Sequence, residues 1–367
     1  MRLYVHWPFC HRRCPYCDFV ARTANRRLMR EYAVALRKEL EIRAGGIRRG
    51  AGLRSLYLGG GTPSTLSGGE VGELVSLVGR LFGFRRNAEI SVEVNPATWG
   101  MEDFRRARLA GVNRVSIGAQ SMEDGCLCRL GRLYDSEEVR RAVKNARRAG
   151  IPSVSLDLLY GLPLGWGGYL GKDLERALEL SPHHLSLYAL TLHPGTPLAD
   201  AVLRGEVLLP DEDEVADEYL MAREILAEAG YLHYEISNFC LPGHECRHNM
   251  AYWRREEYLG VGAGAHSLWR GRRFRNRESV LGYLNDLRKG ELPVAEEQNL
   301  EGKEIREERI MLGLRTSRGV PERLLGKTEK IAEMESLGLL RRTGRRVFLT
   351  PPGMLLSNAV IADLMCA

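Results

Sequence analysis

The chain has 367 residues, of which 44% are apolar and 27% charged, and a formal net charge of +6. This composition is ordinary for a globular α/β protein with one large and one smaller domain. No apolar run reaches the roughly 18 residues that cross a membrane, and the N-terminal MRLYVHWPFC lacks a secretory-signal pattern. We therefore expect a cytoplasmic protein, whose eight cysteines favour metal or redox chemistry over disulfides.

Short β-branched runs alternate with amphipathic helical stretches through the first half of the chain. The predicted strands are residues 3–7, 55–58, 89–94, 114–117, 154–159 and 184–190. Helical periodicity is found near residues 26–43, 69–81, 101–109, 137–149 and 169–180. Such alternation is typical of βα units around a parallel sheet. Six units predict an α/β fold containing an incomplete (β/α)6 barrel.

The second half of the chain changes character twice. An acidic helix is predicted at about 211–229, then a strand at 231–237, and a Gly-, His- and aromatic-rich loop region at 240–270. From residue 298 onward we expect two helices, a hairpin in LLRRTGRRVFLT with a Thr-Gly turn, and a last helix. The predicted domains are therefore a partial barrel (1–237), a connecting region (238–297) and a smaller C-terminal helical, winged-helix-like domain (298–367).

Three cysteines follow the first predicted strand in a C-x3-C-x2-C pattern, namely Cys10, Cys14 and Cys17. Thiolates are the preferred ligands of iron–sulfur clusters, and three of them leave the fourth iron open for a chelating cofactor. The alternative is a structural zinc site, which usually needs a fourth Cys or His at similar spacing. His11 is the nearby candidate for that ligand.

A glycine-rich turn, GGGTP at residues 59–63, follows the second predicted strand. Its backbone lets a charged amino-acid ligand approach closely, and barrel enzymes place their chemistry at this end of their strands. Polar residues collect at the same edge, namely Glu93, Gln120, Arg132 and Asp157. Each also has an ordinary interpretation, such as a solvated carboxylate at Glu93 or an ion pair between Asp157 and an arginine.

The cysteine loop in LYVHWPFCHRRCPYCDF resembles that of radical S-adenosylmethionine (SAM) enzymes. Within them, the chain is most similar to the HemW-type haem chaperones of the coproporphyrinogen-III-oxidase-like family, over nearly its whole length. The resemblance implies a 4Fe–4S cluster on Cys10, Cys14 and Cys17. It also implies bound SAM, which an electron from the cluster can cleave to a deoxyadenosyl radical.

The same resemblance assigns the cofactor-binding residues. Gly60, Gly61 and Thr62 are expected to contact the methionyl group of SAM, with the backbone of Tyr16 nearby. Tyr4 is expected to flank the cluster. The carboxylate, the ribose and their surroundings are assigned to Glu93, Gln120, Arg132 and Asp157.

The segment HNMAYW, from His248 to Trp253, is similar to the H-N-x-x-Y-W motif of the haem-chaperone branch. An imidazole beside aromatic rings suits an axial haem ligand, and the resemblance therefore assigns haem binding to His248. The alternative is a hydrogen-bonded histidine in a loop that covers the barrel mouth. His244 and His266 are weaker alternative ligands.

Two features weigh against an oxygen-independent coproporphyrinogen III oxidase, which is the alternative function. The oxidases carry a further Cys two residues past the third ligand, where this chain has Phe19, and they have a longer N-terminal extension. The resemblance therefore predicts a haem chaperone, and whether it is also an enzyme stays open. The implied partners are haem, haem-accepting proteins (including respiratory, membrane-associated ones) and an electron donor.

Nucleic acid is not an expected partner of this chain. A basic N-terminal segment and a winged-helix-like tail raise a third hypothesis, a radical SAM enzyme that modifies nucleic acid. The sequence has no recognisable platform of aromatic residues for base stacking and no dedicated RNA-binding module.

Overall fold

The computed structural model describes residues 1–47, 52–326 and 328–366. The strands are β1 (Arg2–Trp7), β2 (Phe9–Cys10), β3 (Arg22–Thr23), β4 (Leu53–Gly60), β5 (Phe84–Val94), β6 (Arg114–Gln120), β7 (Ser153–Tyr160), β8 (His184–Ala189), β9 (Leu232–Glu235), β10 (Asn238–Cys240), β11 (Leu259–Val261), β12 (His266–Trp269), β13 (Arg272–Asn276), β14 (Val294–Asn299), β15 (Val320–Pro321), β16 (Leu340–Thr343) and β17 (Arg346–Leu349). The helices are α1 (Arg26–Gly45), α2 (Gly68–Phe82), α3 (Met101–Leu109), α4 (Asp124–Arg129), α5 (Ser136–Arg148), α6 (Leu170–Glu179), α7 (Pro197–Leu203), α8 (Glu212–Glu228), α9 (Arg247–Trp253), α10 (Val280–Lys289), α11 (Gly302–Leu314), α12 (Glu322–Leu325), α13 (Thr328–Ser336), α14 (Pro351–Leu355) and α15 (Ser357–Cys366). None of these helices is long and apolar enough to cross a membrane, as far as the described residues go.

A nine-stranded sheet, in the order β11-β1-β4-β5-β6-β7-β8-β10-β9, organises the larger part of the chain. The strands from β1 to β8 pair in parallel, and β11 joins the outer edge of β1 in parallel. At the other edge β10 and β9 pair antiparallel. Because the order ends at β11 and at β9, the described sheet is an open partial barrel in an α/β fold.

The six strands and five helices expected in the first half are present, because their apolar periodicity reflects real burial. Their bounds move by a few residues. The largest difference is at β5, which begins at Phe84, ahead of the predicted residue 89. Its first residues, from Arg85 to Asn87, are exposed and polar, and therefore carry no apolar alternation that a sequence pattern could detect.

The region predicted as a connection, residues 238–297, holds regular structure. It contains β10, α9, β11, a three-stranded sheet of β12, β13 and β14, and α10. Because β11 pairs with β1, the main sheet continues past the boundary that we placed at residue 237. These strands have three to six residues in a glycine-rich stretch, too short for a period of two to stand out.

The C-terminal part has its own apolar cluster, which includes Ile310, Leu314 and Val347. Helix α11 precedes a three-stranded sheet in the order β15-β17-β16, and α12 and α13 lie between β15 and the hairpin. This helix–strand–helix–hairpin order agrees with the predicted winged-helix-like domain. The hairpin turn falls at Gly344–Arg345, one position after the predicted Thr-Gly, because Thr343 pairs with Arg346.

A fully buried carboxylate, Glu39 of α1, joins three distant parts of the barrel. It accepts hydrogen bonds from Arg43 Nε (2.7 Å), the backbone N–H of Gly262 (2.8 Å), Asn276 Nδ2 (2.8 Å) and Tyr283 Oη (2.8 Å). The Glu39 and Arg43 side chains are 0% and 6% exposed. A buried charge is tolerated only when it is paired and hydrogen-bonded, and Glu39 meets that requirement with four donors. The carboxylate thereby attaches α1 to the loop after β11, to the end of β13 and to α10.

We expect Glu39→Ala to lower the free energy of unfolding by about 3–5 kcal/mol, because it leaves Arg43 as an unpaired buried charge. Chemical unfolding followed by circular dichroism measures the change. The matched control is Glu41→Ala on the exposed face of the same helix, which should change stability by less than about 0.5 kcal/mol. Equal unfolding midpoints for the two variants would contradict this account of the network.

Candidate functional site

The three cysteines of the motif lie at the carboxyl end of the first strand. Cys10 ends β2, and Cys14 and Cys17 belong to the following turn, in which the Cys17 N–H donates to the Cys14 carbonyl at 3.2 Å. All three are free, half-buried thiols. Burial raises the pKa of Cys10 and of Cys17. Since iron binds the thiolate, loading a cluster here must release protons.

A cluster and a single metal ion make different demands on this loop. In the described residues, no three His, Cys, Asp or Glu side chains are placed to share one metal ion. A zinc ion needs its sulfur ligands about 2.3 Å from one point. In a 4Fe–4S cluster each thiolate binds its own iron, so a cluster site does not need that convergence.

The glycine-rich turn is attached to the cysteine loop through its backbone. The Gly61 N–H donates to the Trp7 carbonyl and the Thr62 N–H to the Phe9 carbonyl, both at 2.8 Å, and Thr62 Oγ1 lies 3.3 Å from Cys10 Sγ. A Cβ at Gly61 would meet Cys10 Sγ at 3.0 Å. The glycines are therefore needed for the packing of two loops, in addition to the close ligand approach that we predicted.

Gly60 is the most constrained position of that turn. Its φ is +118°, in the region that favours glycine, and a Cβ there would lie 2.6 Å from the His6 ring. Tyr4, expected to flank the cluster, holds this ring through a 2.9 Å contact from its hydroxyl to His6 Nδ1. Tyr4 thus supports the turn through His6.

Glu93 of β5 holds the same turn from the next strand. Its carboxylate accepts from the Tyr57 hydroxyl at 2.9 Å and from the Gly60 N–H at 3.0 Å. Burial raises the pKa of Glu93 to about 7, with a further contribution from Asp157, which lies close by in β7. Asp157 itself accepts from Ser116 Oγ at 2.9 Å. The two predicted carboxylates therefore share one region of low dielectric inside the barrel.

Arg132 offers an unpaired donor at this site. It lies in the turn between α4 and α5, where its guanidinium donates to the Tyr16 hydroxyl and stands 5.5 Å from the Tyr16 ring centre. Its Nε is buried and has no hydrogen-bond partner among the residues that the structure describes. Buried polar atoms are rarely left unpaired, and a cationic one suits a ligand carboxylate.

Gln120, the last residue of β6, has a φ of 68°. A residue other than glycine pays about 1–2 kcal/mol for this conformation, and such strain is concentrated at functional sites. A Cβ on Gly118 would lie 2.9 Å from Gln120 Nε2, so the amide lies back over its own strand.

His248 is placed differently from the other predicted site residues. It lies on α9 and is fully buried, with Nδ1 2.8 Å from Ser55 Oγ and Nε2 2.7 Å from the Tyr252 hydroxyl. Burial lowers the pKa of His248 to about 3. Ser55 and Gly60 are five residues apart on β4, which is roughly 16 Å at the usual rise of a strand. His248 is therefore inside the barrel near the end opposite the cysteine loop.

This placement argues against the assignment of haem binding to His248. Both ring nitrogens are occupied and no part of the residue reaches solvent. The alternative that we considered, a histidine hydrogen-bonded in a segment that covers the barrel, is closer to the structure, although the segment covers the end opposite the mouth. The sequence did contain a signal for this contact. Residues four apart share a helix face, so the spacing of His248 and Tyr252 could have predicted their hydrogen bond.

Comparison with known proteins agrees with this architecture. Residues 4–167 match the radical SAM superfamily, and residues 300–356 match the HemN C-terminal domain. The haem chaperone HemW of Mycobacterium tuberculosis is 36% identical over 99% of this chain and 94% of its own length. That of Bacillus subtilis is 32% identical over 99% and 98%. This chain belongs to the HemW family.

The fold of this HemW-family chain is shared with a solved structure. Coproporphyrinogen III oxidase (HemN) from Escherichia coli, described as a radical SAM enzyme, aligns with a TM-score of 0.86 and 23% sequence identity over 100% of this chain and 90% of HemN. At that identity the likeness concerns the fold alone. Membership of the radical SAM superfamily implies the use of a 4Fe–4S cluster and SAM.

Sequence reasoning missed two residues that support the site, Tyr57 and His6. Ser55 and Tyr57 are alternate residues of β4, and both reach polar partners in the barrel interior. A period of two places alternate residues on one face of a strand. That alternation was the signal that could have identified Tyr57.

We expect SAM to bind more tightly as the pH rises through about 7, because burial raises the pKa of Glu93 to about 7 and its carboxylate form attracts the methionyl ammonium. In Glu93→Gln the rise should disappear. Isothermal titration calorimetry of SAM into reconstituted protein between about pH 6 and 8 measures the effect, because this range brackets the titration of a single group whose pKa is about 7. Glu235→Gln is the matched control, because burial also raises the pKa of Glu235 to about 7 but its hydrogen-bond partners are Ser237, Asn238 and Trp253. A pH dependence that survives in Glu93→Gln would remove Glu93 from the pocket.

We expect His248→Ala to lower the free energy of unfolding by about 2–4 kcal/mol, because it opens a cavity, removes the described partner of the Tyr252 hydroxyl and leaves Ser55 Oγ with Arg2 alone at 3.3 Å. Chemical denaturation measures this loss. The control is His266→Ala, which removes an exposed imidazole on β12 and should be nearly neutral. Unchanged stability in His248→Ala would mean that the buried contacts do not form in solution.

Proposed function

We propose that this chain binds haem and delivers it to acceptor proteins, on a radical SAM core that holds a 4Fe–4S cluster and SAM. The observation that carries the proposal is the identity of 32–36% to proteins named haem chaperone HemW over 99% of this chain. A match of this extent includes the cysteine loop, the glycine-rich turn and the C-terminal domain. The acceptors that we propose include respiratory, membrane-associated haem proteins, and a reductant must supply the cluster.

The residues present fit the cluster. Cys10, Cys14 and Cys17 are free thiols on one loop, so each is available to bind one iron. The cluster, when bound, supplies the electron that cleaves SAM reductively. Thr62 Oγ1 is placed to donate to the sulfur of Cys10, and such hydrogen bonds tune a cluster's potential. Thiol ligands need a reducing compartment, and we therefore propose a cytoplasmic location.

The ring of polar residues fits SAM. The unpaired Nε of Arg132 suits a carboxylate, and the buried carboxylate of Glu93 suits an ammonium group or a ribose hydroxyl. Gly60, Gly61 and Thr62 expose backbone beside the cysteine loop, where the methionyl group would lie near the Tyr16 backbone. Gln120 and Asp157 complete the ring. Their part is to orient the cofactor and to exclude water.

This chain lacks the additional cysteine that the resemblance leads us to expect in an oxygen-independent coproporphyrinogen III oxidase. Phe19 stands where the oxidases have their additional cysteine, and its side chain is 64% exposed. The phenyl ring of Phe19 has no thiol that could take part in a decarboxylation, but it can contact the apolar macrocycle of haem. Position 19 therefore favours a haem chaperone over a decarboxylase.

The test is anaerobic reconstitution followed by haem titration with and without SAM. We expect about four iron and four sulfide per chain, loss of both in Cys14→Ala, and saturable haem binding by the wild type. Coproporphyrinogen III, supplied with SAM and reductant, should not be decarboxylated. Formation of protoporphyrinogen, at about 1 per second or even far slower, would establish the oxidase instead.

A further inference from the structure

We propose that His193, at the mouth of the partial barrel, ligates the haem iron. This inference rests on the proposed function and names the iron ligand for it. A histidine ligand needs one ring nitrogen free toward the metal, and its other N–H is usually held by a carboxylate or carbonyl. That partner fixes which nitrogen carries the lone pair. The nine histidines of the chain can be compared by this requirement.

Four histidines are excluded because both ring nitrogens have partners inside the protein. They are His6 (Tyr4 and Val20), His184 (Ser155 and Tyr234), His233 (Arg223 and Tyr219) and His248 (Ser55 and Tyr252). Iron could reach any of them only after an internal hydrogen bond had broken.

Two more histidines lie at the wrong end of the barrel. The rings of His183 and His244 are in contact, tilted by 33° with centres 4.5 Å apart, and His183 precedes the first residue of β8. The amino ends of the strands are opposite the cysteine loop. Of the remaining three, His11 and His266 are exposed, and among the described contacts no carboxylate bonds either ring.

His193 meets both parts of the requirement. Its Nδ1 lies 2.9 Å from Asp18 Oδ2, and the His193 and Asp18 side chains are 38% and 43% exposed. With Nδ1–H donating to Asp18, the lone pair is on Nε2, for which the described part of the chain supplies no partner. Asp18 directly follows Cys17, so the imidazole stands beside the proposed cluster loop.

The loop that carries His193 is attached to the cysteine loop. It follows β8 and leads into α7, where the Leu198 N–H donates to the Pro15 carbonyl at 3.0 Å. Thr196 caps α7 and bonds back to the His193 carbonyl at 2.8 Å. His193 is therefore held in place before any ligand binds, and pre-organisation of this kind lowers the cost of binding.

The surroundings of His193 suit an amphipathic macrocycle. Phe19, next to Asp18, is 64% exposed and Tyr188, near the end of β8, is 42% exposed. Exposed aromatic rings are costly in water and mark contact sites for apolar ligands. Arg12 and Arg13 are exposed on the same cysteine loop, where guanidinium groups can pair with the haem propionates. Apolar cover, cations and an oriented imidazole thus occur together at this edge.

The experiment titrates ferric haem into anaerobically reconstituted full-length protein and compares His193→Gly with the wild type. We expect at least about tenfold weaker binding and an altered Soret band, with iron and sulfide content unchanged. Free imidazole should enter the vacated position and restore the band. Asp18→Asn should weaken binding about tenfold, since partners of this kind contribute that much to metal affinity. The matched control, His266→Gly, removes an exposed imidazole elsewhere and should bind as the wild type does.

Two results would overturn the inference, and they are distinguishable. If the wild type shows no saturable haem binding, the proposed function itself fails. If the wild type binds but His193→Gly keeps its affinity and Soret band, while His11→Gly or His248→Gln loses them, only the choice of ligand is wrong.

Discussion

The attachment of the glycine-rich turn to the cysteine loop is the constraint on which the mouth of the barrel depends. Parallel pairing of β1 with β4 sets His6 opposite Gly59 and Trp7 opposite Gly60. Beyond the strands, two backbone hydrogen bonds of 2.8 Å continue the contact to Phe9. A Cβ at Gly60 or at Gly61 would clash with His6 or with Phe9, so glycine is needed at both positions for the two loops to meet. The proposed cluster ligands and the proposed cofactor-binding backbone are thereby brought to one place by the fold itself.

Buried polar contacts extend from this mouth to the far end of the barrel. Glu93 holds Gly60 and is held by Tyr57, whose ring lies against His248 with centres 5.2 Å apart. His248 in turn ties α9 to β4 through Ser55. The H-N-x-x-Y-W motif can thus matter for the site without contacting a ligand, because it supports the strand that carries the glycine-rich turn. The structure shows that packing and buried hydrogen bonds constrain His248 and Tyr252 of this segment.

The sequence predicted those features of the fold that leave a pattern over a few neighbouring residues. The six parallel strands, their helices and the polar ring at the strand ends follow from periodicity and from the edge at which parallel strands end. Contacts between residues far apart in the chain leave no such trace: Ser55 and His248, or Asp18 and His193, have no shared period or spacing. The short strands after residue 238 are missed for a related reason, since a strand such as β11 is specified by its partner β1 more than by its own three residues.

The two ends of the barrel differ in what they permit. At the far end the imidazole of His248 is sealed, and its release would need local opening, which costs more the deeper the element is packed. At the mouth, the partly exposed imidazole of His193 and the exposed rings of Phe19 and Tyr188 can reach a ligand without such opening. A protein proposed to give up its haem must let an acceptor's own ligand approach the iron while the first ligand leaves. Exchange of that kind is possible at a solvent-facing edge and is prevented in a closed interior, so the chemistry of release favours the mouth as strongly as the geometry of His193 does.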